Sequence, residues 1–148
     1  MAPEIAPRTA TVELTFSPLP VHVRTARLVA TAVARRGGVE ETLLDEVRLA
    51  VGEACSRAVE AHQQQCPTEP VRVELRDGAD RFEVVVTDRV PNDDPAAGGT
   101  PEVSPDLAEL NGNLNLGFAV IAGLADDVNI SSTPSGVEIT MSWPAKKD

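Results

Sequence analysis

A two-layer α+β sandwich is the fold class this sequence predicts, and three observations carry it. Short segments of alternating apolar residues occur in pairs around turn residues, which is the pattern of strands joined in hairpins. Two long segments of helical spacing follow one another between the first strand signal and the rest. Apolar residues make up 42% of the 148 residues and aromatics only 3%, so one core packed by Val, Leu, Ile and Ala is expected.

Val12, Leu14 and Phe16 alternate with polar positions over 11–16 and predict a strand. Ser17-Pro18-Leu19-Pro20 breaks it, and prolines suit a helix start. Val23, Ala26, Ala30 and Val33 predict a helix over 20–36, stopped by Gly37-Gly38. Leu43, Val47, Ala50, Ala54 and Ala58 predict the buried stripe of a second helix over 40–63. Segments 71–75 and 82–87 read as a hairpin through Asp77-Gly78-Ala79-Asp80. The stretch 92–113 is rich in Pro, Gly and Asp and reads as a long lid-like loop, with a short helical piece at 106–110. A third helix is expected over 116–124, then strands over 127–131 and 137–143 around Thr133-Pro134-Ser135-Gly136. Helices on one face of a mixed sheet make two layers. The domain is placed at 11–144, between an N-terminal tail at 1–10 and a C-terminal tail at 145–148.

Composition excludes several function classes. A net charge of −10 repels phosphates, and the one basic cluster is Arg24, Arg27, Arg35 and Arg36, so direct nucleic acid binding is not expected. No run reaches the length of a membrane span, and residues 1–10 carry no secretory pattern. Two cysteines, Cys55 and Cys66, fit a reduced cytoplasmic protein rather than a disulfide scaffold. His22 and His62 are isolated from each other and from any cysteine pair, so no metal site is expected.

The stretch Asp45-Glu46-Val47-Arg48-Leu49-Ala50-Val51-Gly52-Glu53-Ala54-Cys55-Ser56-Arg57-Ala58-Val59 resembles the first nucleotide-binding box of the GHKL, or histidine-kinase-like, ATPases. In particular it resembles the serine-kinase anti-sigma factors of bacterial partner-switching systems. Asp88 resembles the aspartate that reads the adenine amino group, and Asn115-Leu116-Gly117-Phe118 the second glycine box, which opens a helix at the phosphates. The resemblance runs from about Val12 to Trp143. It implies a Bergerat-type ATPase fold and a regulator that binds a sigma factor and a STAS-type anti-sigma antagonist. In active members it also implies ATP with magnesium, and phosphorylation of a serine on the antagonist. Dimers are common in the family, which leaves a homodimer open.

The chain departs from that pattern at the nucleotide. Arg57 stands where the family has the asparagine that holds magnesium. A guanidinium offers only donors and cannot ligate the metal. Asp88-Arg89-Val90-Pro91-Asn92 replaces aspartate-x-glycine-x-glycine, and a β-branched Val90 does not bend there as glycine does. Asn115 replaces a glycine where phosphates approach backbone N–H groups, and Val137 replaces a threonine. A degenerate site made of Arg57, Asp88, Gly117 and Phe118, with magnesium-ATP binding weak or lost, is therefore expected.

Each candidate residue also has a plainer reading. Glu53 is the general base if the protein is an active kinase. Alternatively it pairs with Arg57 one turn later, a contact of roughly 0.3–0.5 kcal/mol when exposed, and with Arg57 present the pairing is favoured. Arg57 could also hold a phosphate directly. Asp88 either reads adenine or ends a strand, and Gly117 either approaches a phosphate or serves the backbone. His62 needs no more than a helix-end contact. Arg27, with Arg24 three positions before it, aligns with a helix-one arginine that family members use on both partners; the pair is expected on one exposed face.

A binding regulator, without catalysis, is the favoured function. The alternatives are an active serine-protein kinase and an ATP-binding signalling module of the same fold. A histidine kinase proper is not expected, since no dimerisation helix with a phospho-acceptor histidine is read ahead of the domain.

Overall fold

The computed structural model describes residues 10–90 and 113–146. The elements are β1 (Ala10–Phe16), α1 (Pro20–Gly37), α2 (Glu41–Gln65), β2 (Val71–Asp77), β3 (Arg81–Thr87), α3 (Asn113–Leu124), β4 (Asp127–Thr133) and β5 (Gly136–Pro144). Each element expected from the sequence within these residues is present, with ends shifted by a few positions. The lid-like loop at 92–113 falls almost wholly outside the described residues, as does its helical piece at 106–110.

The five strands form one sheet in the order β1-β2-β3-β5-β4. Every ladder is antiparallel, which corrects the expectation of a mixed sheet. After α3 the chain enters at the far edge as β4, and the hairpin turn brings β5 back beside β3, running opposite to it.

β2 alternates cleanly, with one dry face of the sheet carrying the core and the other turned toward water, while β3 and β5 also bury Val85 and Ser142 on that second face. Val71, Val73 and Leu75 of β2 are fully buried, while Arg72 and Arg76 between them are exposed. Phe82, Val84 and Val86 of β3, and Val137, Ile139, Met141 and Trp143 of β5, continue the dry face. The helices lie on it. Ala26, Ala30, Val33 and Ala34 of α1 and Val47, Ala50, Val51, Ala54, Cys55 and Ala58 of α2 are buried in the same core. Small residues at these positions let the two long helices approach closely. Trp143 also donates its indole N–H to the Leu124 carbonyl at 3.1 Å, tying the end of α3 to β5.

Gly38 closes α1 with φ 100°, its N–H turned back to the carbonyls of Ala34 and Arg35. The carbonyl of Gly38 then accepts the N–H of Lys146 at 2.9 Å, and the N–H of Ala145 donates to Asp80. The first two residues of the segment assigned to a C-terminal tail are thus anchored, and Ala145 is buried.

Candidate functional site

Four pieces of chain meet beside the dry face of the sheet: the second half of α2, the end of β3, the start of β5 and α3. Glu53 and Arg57 lie one turn apart on one side of α2, and His62 lies in the last turn of the helix on another side. Asp88 directly follows β3. Gly117 and Phe118 lie in the second turn of α3.

Asp88 is the centre of the arrangement, with only 1% of its side chain exposed. Its Oδ2 accepts from Arg57 Nη1 at 2.7 Å. Its Oδ1 accepts the backbone N–H of Val90 at 2.9 Å and that of Val137 at 3.2 Å. Its own N–H donates to the Val137 carbonyl at 2.9 Å. Both carboxylate oxygens are therefore engaged. The close meeting with β5 needs Gly136, whose φ is 148° and where a Cβ would stand 1.9 Å from the Asp88 carbonyl oxygen.

Arg57 is 11% exposed at its side chain, so its pair with Asp88 is a buried one. The guanidinium also lies over the Phe118 ring, with Cζ 5.1 Å from the centroid, a cation–π geometry. Its Nε is buried and has no acceptor among the described residues. The expected Glu53–Arg57 pairing is corrected: Arg57 turns to Asp88, across 31 positions of sequence, and among the described residues no ion pair joins it to Glu53. A buried carboxylate demands a cation far more than the half-exposed Glu53 does. Glu53 instead packs toward α3, its Oε2 lying 2.9 Å from where a Cβ on Gly117 would be. Glycine at 117 makes room for that carboxylate. Asn115 lies in the first turn of α3.

His62 was not singled out as a site residue, yet it is fully buried and doubly bonded. Its Nε2 accepts the Arg89 N–H at 2.8 Å, which places the proton on Nδ1, and Nδ1–H donates to the Glu69 carbonyl at 2.8 Å. Its helix-end position was the visible signal; the bond to the residue after Asp88 was not.

Arg24 is exposed on α1, but Arg27 is not wholly so, which corrects the reading of one shared exposed face. Arg27 is half-buried, with its Cδ 2.7 Å from where a Cβ on Gly52 would stand. Its stem lies in the groove between α1 and α2 that Gly52 opens. Val21, Leu28 and Leu49 are exposed apolar residues on the same two helices.

Among the described residues no group of His, Cys, Asp and Glu could hold a metal ion. Burial pushes the Cys55 thiol up to about 12. Cys66 is also raised, by partial burial first and then by Glu69 and Asp88. No helix among the described residues is long and apolar enough to cross a membrane.

The family profile of the histidine kinase-like ATPase domain matches residues 16–143, and the chain belongs to that family. Among solved structures, the fold is similar to the RsbU and RsbW domains of Rv1364c from Mycobacterium tuberculosis. The TM-score is 0.61 at 17% identity, over 94% of this chain and 34% of that one. The chain thus spans about a third of that structure's length. Among curated proteins, none matches it in sequence.

Proposed function

We propose that this protein is an anti-sigma regulatory factor that binds a sigma factor and a STAS-type antagonist in a partner switch. In this reading magnesium-ATP binding is weakened or lost, and the protein works in the cytoplasm by binding rather than by catalysis. The family supports a nucleotide-type pocket as the ancestral site, and the likeness to a structure containing an RsbW domain supports the partner-switch role. The observation that carries the reading is the ion pair between Arg57 and Asp88.

The residues present do not fit the family's ligand. Asp88, which would accept the adenine amino group, has both oxygens engaged within the chain. Arg57, at the metal-ligand position, supplies positive charge and no lone pair. Breaking a buried pair to admit a nucleotide would strand a charge, at a cost on the order of 3–5 kcal/mol. The partner surface in this reading includes Arg24 and Arg27 on α1, where two cations stand on a chain of net charge −10.

Co-purification with candidate sigma factors and STAS proteins, with and without magnesium-ATP, tests the proposal. Capture of either partner independent of nucleotide is expected. Failure to hold any of them contradicts it. One observation favours an active kinase as the second reading: Glu53 forms no ion pair among the described residues and stands beside α3, where a general base would be needed. Transfer of labelled phosphate from ATP to a STAS serine would establish that alternative.

A further inference from the structure

We infer that Arg57 is a built-in ligand of the pocket between α2, the end of β3 and α3, and that it fastens α3 in place without any soluble nucleotide. The inference rests on the reading above only for the identity of that pocket as the family's nucleotide site.

One guanidinium touches three elements. It is carried by α2, donates to Asp88 after β3 at 2.7 Å, and lies over Phe118 of α3 with 5.1 Å from Cζ to the ring centroid. The anion it meets is rigid. Val90 and Val137 hold Oδ1 with their N–H groups, and the backbone of Asp88 is bonded to Val137. A fixed carboxylate beside an aromatic face suits one chemical class, a planar cation or planar amino-bearing ring. Arg57 presents such a group from within the chain. An intramolecular group acts at an effective concentration that a free ligand at ordinary concentration does not match. The pocket is thereby filled at all times, and the position of α3 is set by the sequence instead of by ligand supply.

Removing the guanidinium should leave a cavity that takes back a free planar cation. The test uses the full chain with Arg57→Ala and amide hydrogen exchange over 117–124, with methylguanidinium chloride as the probe and sodium chloride at matched ionic strength as the control. Exchange in this segment is expected to quicken by roughly tenfold or more against the parent, while β2 stays as protected as before. Millimolar methylguanidinium is expected to restore protection, sodium chloride to leave it unchanged, and the parent to ignore both.

Arg57→Lys, which keeps the charge and loses the planar fork, serves if the alanine variant does not fold; it too is expected to exchange faster over 117–124. Unchanged exchange in the variants overturns the inference. So does lost protection in a folded Arg57→Ala chain that methylguanidinium does not restore, which leaves Arg57 an ordinary structural cation. Failure of the parent to capture a sigma factor or STAS protein would sink the functional reading and leave this exchange result standing.

Discussion

His62 Nε2 accepts the backbone N–H of Arg89 at 2.8 Å, and so pins the chain one residue beyond Asp88. The other ring nitrogen is bonded to Glu69, so the side chain joins the last turn of α2 to two separate loops. His62→Ala would take the partner from the part-buried Arg89 N–H and Glu69 carbonyl and open a cavity where the ring is fully buried. A loss of about 2–4 kcal/mol in denaturant unfolding is expected. His62→Asn, which can replace one bond but not both, should recover part of it. A loss below about 0.5 kcal/mol, the range of ordinary surface changes, would contradict the role.

Asp88→Asn keeps the shape of the side chain and removes the charge that Arg57 faces. The stranded guanidinium makes this costly, by about 3 kcal/mol or more. In the paired variant Arg57→Met with Asp88→Asn no buried charge is left over, so the double change should cost clearly less than the sum of the single ones. Additive losses in chemical denaturation would show that the two side chains are not coupled.

Much of the fold was legible because its signals are local. The stops at Pro18, Pro20 and Gly38, the stripe of small residues on α2 and the alternation of β2 are all short-range patterns. The direction of β5 beside β3 was not, because pairing between strands separated by a helix leaves no local trace. In the site, resemblance groups Arg57, Asp88, Gly117 and Phe118, and the fold brings Arg57 against Asp88 and Phe118. The contact that joins them was missed. Glu53 stands one turn from Arg57, so sequence spacing favoured that pair, whereas the burial of Asp88 that draws Arg57 away depends on tertiary packing.

Gly136→Ala places a Cβ against the Asp88 carbonyl at a φ of 148°. Neither the backbone nor the neighbouring carbonyl can yield cheaply, so a loss of about 2 kcal/mol or more in thermal unfolding is expected. A variant as stable as the parent would mean that the approach of β5 to Asp88 is looser than described.

The thiols give a pH prediction. Folding raises the Cys55 value from 9.0 to about 12 by burial, so the fold favours the neutral thiol. That contribution is fully present below the unfolded value and is lost as pH climbs through the folded one. Stability should therefore fall between about pH 9 and 12, and less so in Cys55→Ala after correction for its cavity. At neutral pH an alkylating reagent should label Cys66 slowly and Cys55 only on unfolding. Rapid labelling of Cys55 in the native protein would refute this.

At the proposed partner surface, Arg27→Gln retains much of the stem that lies over Gly52 and removes the cationic fork. Binding to a STAS antagonist or sigma factor should weaken by about 2 kcal/mol or more. Arg36→Ala, near the end of the same helix, is the mild control. Arg27→Ala should also lose stability through packing, by about 1 kcal/mol. Unaltered affinity in Arg27→Gln would put the partner surface elsewhere.

The account stands or falls on whether Arg57 and Asp88 close the nucleotide pocket. Calorimetric titration of the unaltered protein with ATP, in magnesium and again in chelator, measures this directly. The account predicts no magnesium-dependent binding, or binding far weaker than micromolar. Magnesium-dependent ATP binding at micromolar affinity or tighter, with Arg57 in place, would contradict it.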